Sequence, residues 1–135
     1  MANGLIMVGT TNSSSVLENG VVPINSILRR RGKVLTSNND SILLNMPGYY
    51  KLNASVTFTS SETGVATIVV QKNNITIPSL TASTSVATAT TEVSTLNVSG
   101  IVRVTCGDGL VSISLVNIGI PITTSNVEID IEYLG

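Results

Sequence analysis

Apolar and polar positions alternate with a period of two along most of the chain, and no stripe of period 3.6 interrupts them. Residues 49–59 are the clearest stretch. Tyr50, Leu52, Ala54, Val56 and Phe58 share one face, and Tyr49, Lys51, Asn53, Ser55 and Thr57 share the other. Residues 127–133 alternate as strictly, with Val127, Ile129, Ile131 and Tyr133 opposite Glu128, Asp130 and Glu132. Leu96, Val98, Val102 and Val104 line one face of a further strand, and residues 5–8, 42–44, 65–71 and 110–116 add shorter apolar runs. Turn signals separate these runs: Asn19-Gly20, Asn38-Asn39-Asp40, Pro47-Gly48, Lys72-Asn73-Asn74 and Gly107-Asp108-Gly109. Asn19-Gly20 and Asn73-Asn74 predict hairpins, and Pro23 predicts an edge or bend. Residues 81–95 are nearly all Ser, Thr, Ala and Val; their β-branched residues predict strands at an exposed rim rather than a linker. Nine or ten strands at short, regular spacing predict an all-β, antiparallel sandwich or barrel.

Composition narrows the functional classes. The chain has 135 residues, enough for one domain with a real core. It carries 17 Thr, 17 Ser and 13 Asn beside 17 Val and 14 Ile, the palette of pleated surfaces and turns. Seven basic and eight acidic side chains leave a net charge of -1, with no electrostatic footprint for nucleic acid. The start of the chain has neither a basic region nor a long apolar run, so neither an export signal nor a membrane span is expected. Five Asn-x-Ser/Thr triplets, at Asn12, Asn39, Asn53, Asn74 and Asn97, are what so Asn-, Ser- and Thr-rich a chain produces by chance.

Candidate chemistry is sparse. There is no His to serve as a base, and with one Cys there is neither an internal disulfide nor a zinc-type donor set. No enzyme activity and no cofactor are therefore expected. Glu128, Asp130 and Glu132 lie on one strand face, where a solvated face is the plain reading and a hard-cation site the alternative. Cys106 is in phase with Val102 and Val104, which predicts a buried thiol acting as a small hydrophobe. Residues 29–33, Arg-Arg-Arg-Gly-Lys, read either as a solvated loop that discourages strand pairing or as a contact for an acidic protein surface. Leu5, Ile6, Met7 and Val8 read either as an attachment arm within a segment 1–15 or as the first strand of the domain 16–135.

Pro47-Gly48-Tyr49-Tyr50-Lys51-Leu52 resembles the Pro-Gly-x-Tyr-x-Phe strand of the complement-globular-head and tumour-necrosis-factor-like family. Further features agree in order: Val21-Val22-Pro23-Ile24, the strand ending at Asn73-Asn74, and Gly100 to Val104 followed by Gly107-Asp108 and Leu110 to Ile113. The resemblance is to the short bacteriophage and bacterial versions. Leu52 replaces the motif Phe, Asn74 the hairpin Gly, and Gly109 is extra, which sets the chain apart from animal cytokines and complement proteins.

The resemblance implies an antiparallel jelly-roll sandwich of about ten strands that assembles as a homotrimer. It places the strands at 49–59, 97–105 and 127–133 side by side. Tyr49, Lys51, Arg103, Glu128, Asp130 and Glu132 then face the trimer interface, where cross-strand pairs with Lys51 and Arg103, or intersubunit pairs with residues 29–31 of an adjacent subunit, are expected to neutralise the acids. The expected function is a structural protein of a bacteriophage virion: a capsid decoration or head-fibre protein on the capsid surface, assembled in the host cytoplasm. Its expected partners are copies of itself and the major capsid protein or another virion protein, with no nucleic acid and no membrane. Leu5, Ile6, Met7, Val8, Arg29, Arg30 and Arg31 are the candidate attachment residues. The alternative is a receptor- or glycan-binding tip of a fibre or bacterial surface protein.

Overall fold

A computed structural model of the chain describes residues 4–10, 13–24, 26–32, 34–38 and 40–135. Lys33, Asn12 and Asn39, named above, lie outside the described residues. The strands are β1 (Leu5–Thr10), β2 (Ser14–Val16), β3 (Gly20–Val21), β4 (Ser26–Arg31), β5 (Leu35–Asn38), β6 (Ser41–Leu44), β7 (Gly48–Thr59), β8 (Gly64–Lys72), β9 (Ile75–Val86), β10 (Ser94–Val104), β11 (Val111–Asn117) and β12 (Ile122–Tyr133). One sheet runs β10-β7-β12-β1-β4, with β2 beside β12; the other runs β5-β6-β11-β8-β9, with β3 beside β11. All pairings are antiparallel. From β6 to β8, and again from β9 to β12, the chain changes sheet at every step, the crossing pattern of a jelly roll.

Alternation decides what fills the space between the sheets. Tyr50, Leu52, Val56 and Phe58 of β7 meet Ile68 and Val70 of β8, Ile113 and Leu115 of β11, and Ile129 and Ile131 of β12 in one buried cluster. Aliphatic side chains dominate it, and Tyr50 and Phe58 are the aromatic residues that are fully buried.

Two turns explain the motif residues. Gly48 has φ +141°, and a Cβ there would lie 2.7 Å from the Tyr133 ring. That ring packs on Tyr50 at 4.9 Å between centroids. The Tyr50 hydroxyl donates to the Met46 carbonyl at 2.6 Å, and the Tyr133 hydroxyl to the Pro47 carbonyl at 2.7 Å. The Pro-Gly-x-Tyr segment thus locks the start of β7 to the end of β12. Between β8 and β9, Asn73 and Asn74 both have positive φ, 51° and 68°, as a two-residue hairpin of mirror-image turn geometry requires. Asn adopts this left-handed geometry more readily than other non-glycine residues, so Asn74 serves where the family pattern has Gly.

Three expectations need correction. Asn19-Gly20 makes a turn but not a hairpin: β2 pairs with β12 and β3 with β11, so the chain passes there from one sheet to the other. Residues 29–31 belong to strand β4 rather than a loop. Cys106 is exposed, because β10 ends at Val104 and a 3-10 turn (Cys106–Asp108) breaks the alternation. The Asp108 carboxylate drives that break, accepting the Thr105 N–H at 2.8 Å and the Lys72 ammonium at 3.1 Å.

Candidate functional site

The outer face of the β10-β7-β12-β1-β4 sheet collects most of the chain's candidate residues. Strand register sets them in rows. Ile101, Lys51, Glu132, Leu5 and Arg31 lie across from one another in one row. Ser99, Asn53, Asp130, Met7 and Arg29 form the next. Asn97, Ser55, Glu128 and Gly9 form a third, and Arg103 lies opposite Tyr49 at the other end. The structure therefore brings Tyr49, Lys51, Arg103, Glu128, Asp130 and Glu132 onto one face.

Within the chain, the expected cross-strand pairs do not form on that face. Lys51 and Glu132 are register partners, yet among the described residues the ion pair within 4.0 Å is Lys72 with Asp108, elsewhere in the fold. Arg103 instead lies over the Tyr49 ring, 5.6 Å from its centroid. Asp130 is half-buried, and its Oδ1 is shielded from water with no hydrogen-bond partner. Burial, reinforced by the neighbouring Glu128, raises the Asp130 carboxyl above the ordinary carboxylate value. Asp130 lies with Asn53, Ser55, Asn97 and Ser99 around one shallow depression, and with Leu5, Met7 and Lys51 around another.

The attachment candidates divide by strand phase. Ile6 and Val8 are fully buried in the core, so they offer nothing to a partner. Leu5 and Met7 are half-buried on the outer face. The four apolar residues are thus part of β1, hydrogen-bonded between β12 and β4, rather than a free arm. Arg29, Arg30 and Arg31 are exposed on β4, the last strand of this sheet. Leu5 and Met7 join the acidic face without a sequence signal, since residues 5–8 are all apolar and only the pairing of β1 with β12 sets which of them point inward. That Arg29 and Arg31 fall in the same rows depends on sheet order, which has no local signal.

No protein-family model matches the chain, and no curated protein matches it. Solved structures do. Murine APRIL, in its crystal structure at pH 8.5, is 15% identical with a TM-score of 0.76, over 98% of this chain and 100% of that one. The globular domain of zebrafish complement 1qA protein is 7% identical with a TM-score of 0.68, over 96% and 95%. Vertex protein P5 of phage PRD1 is 15% identical with a TM-score of 0.59, over 98% and 97%. With matches across essentially its whole length to a cytokine, a complement head and a phage vertex protein, the chain has the tumour-necrosis-factor-like jelly-roll fold.

Proposed function

We propose that this protein is a non-enzymatic structural component of a bacteriophage particle, a capsid decoration or head-fibre protein that assembles as a trimer through the outer face of its β10-β7-β12-β1-β4 sheet. The observation that carries the reading is the character of that face. No element of the described chain covers it, yet Ile101 is 53% and Tyr49 46% exposed on it, and a carboxylate oxygen is withheld from water there. A face of this mixed kind suits burial against another subunit, with apolar groups supplying the contact and charges the register. The fold shared with a phage vertex protein and the absence of His agree with a structural rather than a catalytic role.

Sedimentation equilibrium tests the trimer directly. The reading expects three times the 14.0 kDa chain mass at low micromolar concentration. It fails if the protein sediments as single chains. Electron microscopy of particles carrying the protein tests the location: decoration expects copies spread over the shell, and a fibre tip expects density confined to an appendage.

A further inference from the structure

We propose that β4 is a strand-addition site for an acidic, extended segment of a partner protein. This deepens the attachment part of the reading above and rests on it. Strand β4 ends its sheet and, among the described residues, pairs on one side only, with β1. Its other edge therefore presents backbone N–H and C=O groups to whatever approaches. Side chains on both of its faces are exposed. Ile27 is 48% and Leu28 55% exposed, and Arg29, Arg30 and Arg31 are exposed in succession. An edge strand of a sandwich normally buries one face; here Arg30 is the register partner of core residue Ile6 and still reaches solvent.

The other long edges are managed differently. Along β9 and β10, which close one side of the sandwich, Leu80 is 2% exposed and reaches to Gly100, where a Cβ would lie 2.3 Å from its Cδ2. Strand β9 also carries Pro78, which has no N–H to offer. Strand β5 has only four residues.

Charge chooses the occupant of β4. Four of the chain's seven basic residues fall within 29–33. A second copy of β4 paired about Arg30 would set the arginines against one another, and like charges on paired strands oppose pairing. A strand with consecutive carboxylates meets Arg29 and Arg31 on one face and Arg30 on the other. An apolar residue beside those carboxylates would cover Ile27 or Leu28. Main-chain hydrogen bonds would then supply affinity, and the arginine contacts specificity.

The test uses the full chain and a short synthetic peptide, Thr-Val-Ile-Glu-Asp-Glu-Thr-Val. Amide hydrogen exchange is followed by nuclear magnetic resonance during titration. The proposal expects slowed exchange in β4 and affinity lowered about tenfold or more in R29E/R30E/R31E, as three charge pairs reverse. Replacing the central Asp of the peptide by Pro should abolish the protection. Because the three arginines are exposed, the triple variant should keep the wild-type far-ultraviolet spectrum. The proposal is overturned if the Pro peptide binds as well, if the triple variant binds unchanged, or if saturating peptide leaves β4 exchange unaltered. Arg29 and Arg31 share the outer face with the acids, so sedimentation of both the unliganded wild type and the triple variant reads the trimer separately, and loss of one result does not carry the other with it.

Discussion

Single side chains hold together the places where the chain changes sheet. Asn117 is fully buried, and its amide is used on every side. Its Nδ2 donates to the carbonyls of Val16, Leu17 and Ile120, and its Oδ1 accepts the Gly119 N–H. Replacing it with Ala strands several of those groups away from water, each at about 1–3 kcal/mol. Asn117→Ala should therefore lower unfolding free energy by about 3 kcal/mol, read from the urea midpoint at constant m-value. Asp130 acts in the opposite sense. Its folded carboxyl binds a proton more readily than an unfolded one, because burial and then Glu128 disfavour the charge. Between the ordinary and the raised value the folded chain holds the extra proton, so this group's contribution falls as pH rises through that window and recovers on acidification. Asp130→Asn should raise stability at pH 7 by about a few tenths of a kcal/mol, with the gain vanishing in acid. Denaturation of both proteins at pH 7 and pH 3.5 measures it. Asp108 has the reverse sign: the Thr105 N–H and then Lys72 lower its carboxyl, so its contribution is present above the ordinary carboxylate value and lost as pH falls through the folded one.

At the scale of elements, β1 decides how the start of the chain behaves. It lies between β12 and β4, pairs with both, and places Ile6 and Val8 in the core. Deleting residues 5–10 removes both buried side chains and leaves β12 and β4 without a shared neighbour. Each large buried aliphatic lost costs about 2–5 kcal/mol, so the deletion should abolish cooperative folding rather than release an arm. Circular dichroism melting checks this: a sharp transition in the truncated protein would mean that β1 is dispensable. The 3-10 turn at Cys106–Asp108 is the other element with consequences beyond itself. Through Asp108, Lys72 ties the β10–β11 connection to the end of β8, and its ammonium also reaches the Arg103 carbonyl at 2.9 Å.

At the scale of the whole molecule, the proposed trimer sets the outer sheet face between subunits. Ile101→Glu puts a carboxylate on the outer face of edge strand β10, across from Lys51 and in one row with Glu132. Desolvating it against another subunit costs several kcal/mol that its register neighbour Lys51 does not fully repay, so the variant should sediment as folded single chains under conditions where the wild type is expected as a trimer. Arg103→Ala removes a stack on Tyr49 that already forms within one chain, so its effect on the trimer should be smaller. A larger effect of Arg103→Ala than of Ile101→Glu would move the interface toward the Tyr49 end of the sheet.

Period-two alternation alone determined the β class, the inward faces of β7, β10 and β12, and the grouping of Glu128, Asp130 and Glu132. It does so because side-chain direction in a strand depends only on residue parity. Pro47-Gly48 and Asn73-Asn74 were equally legible, since their turns demand specific backbone angles that few residues adopt. Tertiary structure decided the rest. Whether residues 5–8 pair or hang free depends on β12 and β4, which lie far away in sequence. Cys106 left the inward phase because Asp108, two residues later, captured the Thr105 N–H and ended the strand. Asn19-Gly20 joined two sheets instead of two paired strands because Asn117, about a hundred residues away, holds the Val16 and Leu17 carbonyls at the corner. Arg29 and Arg31 share rows with the acids only because β1 inserts between β12 and β4, and that order is settled by packing across the whole sheet rather than by any local run of residues.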